Sequence, residues 1–249
     1  MALVISFVFV ACNNEEKTEP ASTDTTGTET TMTENTSQNQ DMDAAIVASG
    51  LYKVVKDTMG IRVLEINYKP GDSSAMHSHP DLVLYVVNSG KTEFTEEDGS
   101  KRTMDLPAGT PMIVGATTHS VKNVGTTTVK GYLFEVNRPN KTATTEPDAL
   151  DATKVASRFY KPVKDSLNIR TVMVEYKPGG ESALHSHPDL AMYVITPAKA
   201  EFTAKDGTKQ VMTMAKGTIV VLPADTHSVK NVGSTNAKVL LVEVNRPRQ

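Results

Sequence analysis

Tryptophan is absent from this 249-residue chain, and a single cysteine, Cys12, excludes an internal disulfide. Aromatic residues are sparse at 5% of the sequence. No window longer than about ten residues repeats its apolar positions at the helical period, which excludes a helical bundle or a coiled coil. Charge of one sign is missing too: the formal net charge is −3, so nothing points to nucleic acid as a partner. The amino-terminal apolar run, residues 1–11, is shorter than the roughly 20 residues that a membrane-crossing helix needs. Histidine is also scarce, at six residues.

What is present begins with a targeting pattern. Residues 1–12 read as a secretory signal, and Phe9-Val10-Ala11-Cys12 resembles a bacterial lipobox, in which the chain is cut before the cysteine and lipid is attached to it. The alternatives are an ordinary cleaved signal or a buried strand with an incidental thiol. Residues 13–44 are nearly all Thr, Ser, Glu, Asn, Gln and Asp, too poor in apolar side chains to offset the entropy of ordering them. They read as a disordered tether that holds the rest of an exported, lipid-anchored protein away from an envelope membrane.

The remainder is an internal duplication. Residues 51–82 align with 159–190, THSVKNVG at 118 with THSVKNVG at 226, and EVNRP at 135 with EVNRP at 243, always 108 residues apart and without a gap. A period this long marks two whole domains, here 45–139 and 159–249 with a linker over 140–158, because solenoid repeats run only about 20–50 residues. Each half reads as β. Arg62, Leu64, Ile66 and Tyr68 alternate onto one strand face, and TEFTEEDGSKRTM reads as a hairpin turning at Asp98-Gly99. Many short strands separated by turn signals predict a sandwich or barrel.

The histidines are distributed with the same regularity. His77 and His79 sit two apart on a strand, so both rings point to one face, about 6.6 Å apart along it. His119 is the remaining histidine of the first half, and His185, His187 and His227 repeat the set in the second. Imidazoles able to converge favour Zn²⁺, Cu²⁺, Fe²⁺ or Ni²⁺ over Mg²⁺ or Ca²⁺. The alternative is a core that keeps its histidines without a metal.

These residues resemble the two cupin motifs. Gly71, His77, His79 and Gly90 match the first, G-x5-H-x-H-x3-E-x6-G. Gly217, Pro223, His227 and Asn231 match the second, G-x5-P-x-G-x2-H-x3-N, with one residue fewer before the histidine, and Gly109, His119 and Asn123 follow it in the first half. The resemblance covers nearly all of residues 45–249 and implies two tandem double-sheet barrels, all-β, each bringing its three histidines to one point. Val83 and Ala191 stand where the motif has glutamate. The resemblance thus implies a three-histidine centre in each half for a divalent transition metal: Fe, Zn, Ni, Cu or Mn. Three neutral ligands leave the ion's charge uncompensated, which favours a small anionic or enolisable molecule and dioxygenase- or isomerase-like chemistry. Non-catalytic capture of a metal or small ligand at the envelope is the alternative. Even duplication predicts an intrachain pseudo-dimer, and family members also form homo-oligomers.

Four further pairs carry expectations. Arg62 and Arg170 either hold a substrate carboxylate or pair with Glu135 and Glu243, which interrupt apolar strands; pairing accounts for both oddities at once. Tyr85 and Tyr193 share strand parity with the histidines and are candidates to line the cavity, although tyrosine is common in strands. Asp81 and Asp189 are candidates for ligation or for orienting an imidazole. Gly90 becoming Ala198 points to a turn that differs between the halves.

Overall fold

The computed structural model describes residues 42–142 and 149–248. Cys12, the signal region 1–12 and all but the last residues of the expected tether 13–44 lie outside them. Among the described residues no helix is long and apolar enough to cross a membrane.

The first half opens with one helical turn, α1 (Ala44–Val47), and continues as β1 (Tyr52–Thr58), β2 (Ile61–Tyr68), β3 (His77–His79), β4 (Leu82–Asn88), β5 (Gly90–Glu96), β6 (Lys101–Leu106), β7 (Pro111–Val114), β8 (Thr117–Asn123) and β9 (Val129–Val136). Its strands form a five-stranded sheet, β1-β2-β9-β4-β7, and a four-stranded sheet, β3-β8-β5-β6. The second half repeats this with α2 (Ala152–Val155), β10 (Tyr160–Ser166), β11 (Ile169–Tyr176), β12 (His185–His187), β13 (Asp189–Val194), β14 (Ala198–Ala204), β15 (Lys209–Met214), β16 (Ile219–Leu222), β17 (Asp225–Asn231) and β18 (Ala237–Val244), in sheets β10-β11-β18-β13-β16 and β12-β17-β14-β15. All the strand pairs are antiparallel, giving the two tandem all-β barrels that the duplication implied.

Period-two alternation sorts the apolar residues between two cores. Along β2, Leu64, Ile66 and Tyr68 face the barrel interior, while Ile61 and Val63 face the other barrel. The expected hairpin forms between β5 and β6; Gly99 takes φ +80° at its turn, where a side chain would be strained, and Asp98 Oδ1 accepts from the Ser100 amide at 2.8 Å. Asn123 and Asn231 hold the turns after β8 and β17, each side-chain amide donating to two carbonyls.

The barrels pack through the outer faces of their five-stranded sheets. Ile61, Val63, Val83 and Phe134 meet Ile169, Ala191, Leu240 and Val242 in one fully buried cluster. Strand β1 lies beside β16, and β10 beside β7, as pseudo-twofold symmetry requires. The EVNRP arginines close this interface reciprocally. Arg138 Nη1 donates to the Arg246 carbonyl at 3.0 Å and Arg246 Nη1 to the Arg138 carbonyl at 3.1 Å; Arg138 also pairs with Asp189 at 2.9 Å and Arg246 with Asp81 at 2.6 Å.

One expectation is corrected. Part of the segment 140–158 is not linker: α2 packs on β10 and β12 as α1 packs on β1 and β3, and its capping residue Asp151 pairs with Arg170. The expected difference at Gly90 and Ala198 is present: β4 runs to Asn88 with a register shift after Val86, whereas β13 ends at Val194 and the Ile195 and Thr196 amides both donate to the Lys238 carbonyl, although β5 and β14 begin at equivalent positions. A Cβ on Gly90 would collide with Val129 Cγ2, and the residue equivalent to Val129 is Ala237. The halves fill one space as Gly with Val and as Ala with Ala. Gly90→Ala therefore overpacks the first barrel and lowers its unfolding free energy by roughly 1–3 kcal/mol, while Gly90→Ala with Val129→Ala restores most of it. Urea unfolding of the four proteins in that cycle measures the coupling.

Candidate metal centre

Each histidine cluster arises from strand register. In β3 the alternation puts His77 and His79 on one face, and pairing with β8 sets His119 directly opposite His77. In the second barrel β12 and β17 pair His185 with His227 in the same way. One ligand atom from each of His77, His79 and His119 lies within 4.8 Å of the others, and the same holds for His185, His187 and His227. Ring centroids in the first cluster are 4.8–5.4 Å apart.

The proton positions follow from the partners. His77 Nδ1 donates to the Ala75 carbonyl at 2.7 Å, and His185 Nδ1 to Ala183 at 2.7 Å. His79 Nδ1 donates to Glu135 Oε1 at 2.6 Å, and His187 Nδ1 to Glu243 Oε1 at 2.7 Å. Carbonyls and carboxylates accept only, so each of these rings carries a proton on Nδ1, and Nε2 is the atom directed toward the shared point. Burial holds His77 and His185 down at about 4 and His119 at about 3, and lowers His227 as well, so these rings are neutral at neutral pH. His185 Nε2 is a buried lone pair with no hydrogen-bond partner among the described residues, a costly arrangement that a bound cation relieves. The donor set therefore fits a transition metal held by imidazole nitrogen.

Arg62 and Arg170 take the pairing role, not the substrate role. Arg62 Nε donates to Glu135 Oε2 at 2.6 Å and Arg62 Nη1 to Asp43 Oδ2 at 2.5 Å; Arg170 repeats both contacts with Glu243 and Asp151. Each guanidinium thus bridges two carboxylates through its Nε and Nη1. Tyr85 and Tyr193 are not in the cavities. Their ring centroids lie 5.3 Å apart, with the planes tilted by 51°, in the apolar cluster between the barrels. Pro80 and Pro188 end β3 and β12, the chain crosses to the other sheet, and parity counted through that crossing is lost. For the same reason Val83 and Ala191, at the motif glutamate position, face the opposite barrel. Asp81 and Asp189 bind no imidazole; they accept from arginines and from the Ala116 and Ala224 amides.

Two groups at the centres escaped sequence reading. The carboxylate that orients an imidazole comes from Glu135 or Glu243 near the far end of each barrel's last strand, visible beforehand only as an acid in an apolar run. Tyr52 and Tyr160 carry no motif signal, yet their rings lie 4.9 and 4.7 Å from His77 and His185. The Tyr68 hydroxyl donates to Tyr52 at 2.8 Å, and Tyr52 donates to His77 Nε2 at 2.9 Å. Burial pushes the Tyr52 and Tyr160 phenols well above their ordinary range, so both remain proton donors. A cavity of about 370 Å³ in the first barrel reaches these groups, lined by Tyr52, His79, His119, Phe94, Met104 and Arg102 among others. Arg102 lies 5.0 Å over the Phe94 ring and pairs with Glu96 at 3.2 Å.

The depressed imidazoles set a pH dependence. The unfolded chain takes up protons on His77 and His185 near the ordinary value of 6.5, whereas the folded protein resists until about 4. Protons therefore favour the unfolded state across that window, and the stability present above it is lost as pH falls through it. Metal-free protein keeps a level melting temperature from pH 8 down to about 7 and loses stability steeply from about pH 6.5 to 4. Scanning calorimetry across that range measures the loss.

Residues 172–243, within the second barrel, match the Cupin domain family model. The sequence has no match among curated proteins. The folded chain is similar to oxalate decarboxylase of Bacillus subtilis. A tryptophan-to-tyrosine variant of that enzyme superposes with a TM-score of 0.55 at 16% identity, covering 80% of this chain and 73% of the other. The structure used to study its Mn(II) centres superposes with a TM-score of 0.51 at 16% identity, covering 76% and 70%. The chain has the two-barrel cupin fold, and its second barrel carries the Cupin domain match.

Proposed function

We propose that the chain is an exported metalloprotein that holds a divalent transition metal in each barrel, through His77, His79 and His119 in the first and His185, His187 and His227 in the second. The observation that carries this reading is the convergence of three imidazoles in each barrel, with the Nδ1 atoms of His77, His79, His185, His187 and His227 donating elsewhere and the buried Nε2 of His185 without a partner among the described residues. Imidazole donors suit Zn, Cu, Fe and Ni, and the Mn(II) centres of the similar decarboxylase add Mn to the set. With no anionic protein ligand among the three, a bound ion keeps its double charge toward an open position. A small anionic or enolisable molecule fits that position, in a cavity of a size that small ligands occupy. Tyr52 is placed to donate a hydrogen bond to it. Arg102, rather than Arg62, is the guanidinium that lines the approach. Dioxygenase- or isomerase-like turnover is the corresponding activity. The apolar run 1–11 followed by Cys12 supports export and a lipid anchor at the cell envelope as part of this reading.

Elemental analysis of the purified protein tests the core of this. At saturating metal in equilibrium dialysis the natural chain carries close to two equivalents, and His79→Ala and His187→Ala each carry one. Retention of both equivalents by either variant would refute the ligand assignment. Redox-active iron would support the catalytic reading; tightly held zinc that takes no added ligand would instead support a binding role.

A further inference from the structure

The two clusters share their ligands but not their surroundings, and the differences point one way. The third histidine of the second barrel is anchored: His227 Nδ1 donates to Asp225 Oδ2 at 2.9 Å. The equivalent residue in the first barrel is Thr117, and His119 Nδ1 is buried with no partner among the described residues. The first histidines differ in the opposite sense. His77 Nε2, the lone pair a metal needs, is already capped by the Tyr52 hydroxyl at 2.9 Å, whereas His185 Nε2 is unpartnered. The loop before the third histidine also differs, with Gly115 in the first barrel and Pro223 in the second.

Each difference favours metal in the second barrel. A carboxylate on Nδ1 fixes the tautomer and ring orientation and makes Nε2 a better donor. An imidazole without that anchor must be ordered when metal binds. A capped lone pair must give up its hydrogen bond first, whereas an unpartnered one gains a partner at no such cost. Proline reduces the freedom of the loop that presents the ligand, and glycine increases it.

We infer that the centres are unequal: the second barrel holds its metal tightly, and the first is a weaker, exchanging centre whose occupancy follows the metal supply. Asp225 is the positioning residue that separates them, acting on the metal only through His227. Since outer partners of this kind are worth about 10–100-fold in affinity, the second barrel binds at least ~10-fold more tightly than the first. This rests on the proposal that both clusters bind metal.

The test is competition between the full-length protein and a chromophoric chelator for Zn²⁺, with His187→Ala reporting the first barrel and His79→Ala the second. The expected result is a dissociation constant at least ~10-fold lower for the second. Asp225→Thr in the His79→Ala background brings the second barrel about 10-fold toward the first, and Thr117→Asp in the His187→Ala background tightens the first. Thr117→Asp adds a contact, so it remains informative if Asp225→Thr folds poorly; circular dichroism checks both. Equal constants, a tighter first barrel, or no response to either exchange would overturn the inference while leaving metal binding intact. Loss of binding by both single-barrel proteins would overturn metal binding itself and this inference with it.

Discussion

A carboxylate with no solvent exposure, shared between a guanidinium and an imidazole, organises each barrel. Glu135 is 0% exposed, with one oxygen on Arg62 and the other on His79. A buried ion pair of this kind rarely adds net stability, since apolar residues of the same volume do as well or better. Its effect here is on specification. The Glu135 contact chooses the orientation of His79, Arg62 holds Glu135 in place, and Asp43 ties Arg62 to the start of the fold. Removing Glu135 would leave a cation and a histidine without their partner in the same enclosed space.

The duplication turns that unit into a pair and uses the outer sheet faces to join the copies. Val83 and Ala191, the positions where the cupin motif carries an acid, are committed to the apolar surface between barrels, not to the histidines. Neither histidine cluster has a carboxylate at that position, but in each a glutamate hydrogen-bonds one of the imidazoles from behind. An ion held by three such imidazoles would keep its full charge, the property suited to recruiting an anion.

Much of the fold was legible in the sequence because its signals are local or repeated. Alternation along Ile61–Tyr68, the Asp98-Gly99 hairpin and the 108-residue offset each survive without knowledge of tertiary structure. The histidine sets were legible for the same reason, His77 and His79 by spacing and His119 by motif. What was misread depends on chain crossings. Tyr85 and Tyr193 are cavity candidates only when parity is counted through Pro80 and Pro188, where the chain changes sheets. The tie between Glu135 and His79 joins residues 56 apart in sequence, and Tyr52 meets His77 across 25. Neither leaves a local pattern. The one-turn helices are too short to show any period.

X-ray absorption at the edge of the bound metal tests the central claim most directly, because it counts the imidazoles around the ion. The account predicts three histidine nitrogens per metal at about 2.0–2.2 Å for zinc, with imidazole outer-shell scattering to match, in protein carrying one ion per barrel. A shell made mainly of oxygen, or one containing a single imidazole, would contradict it.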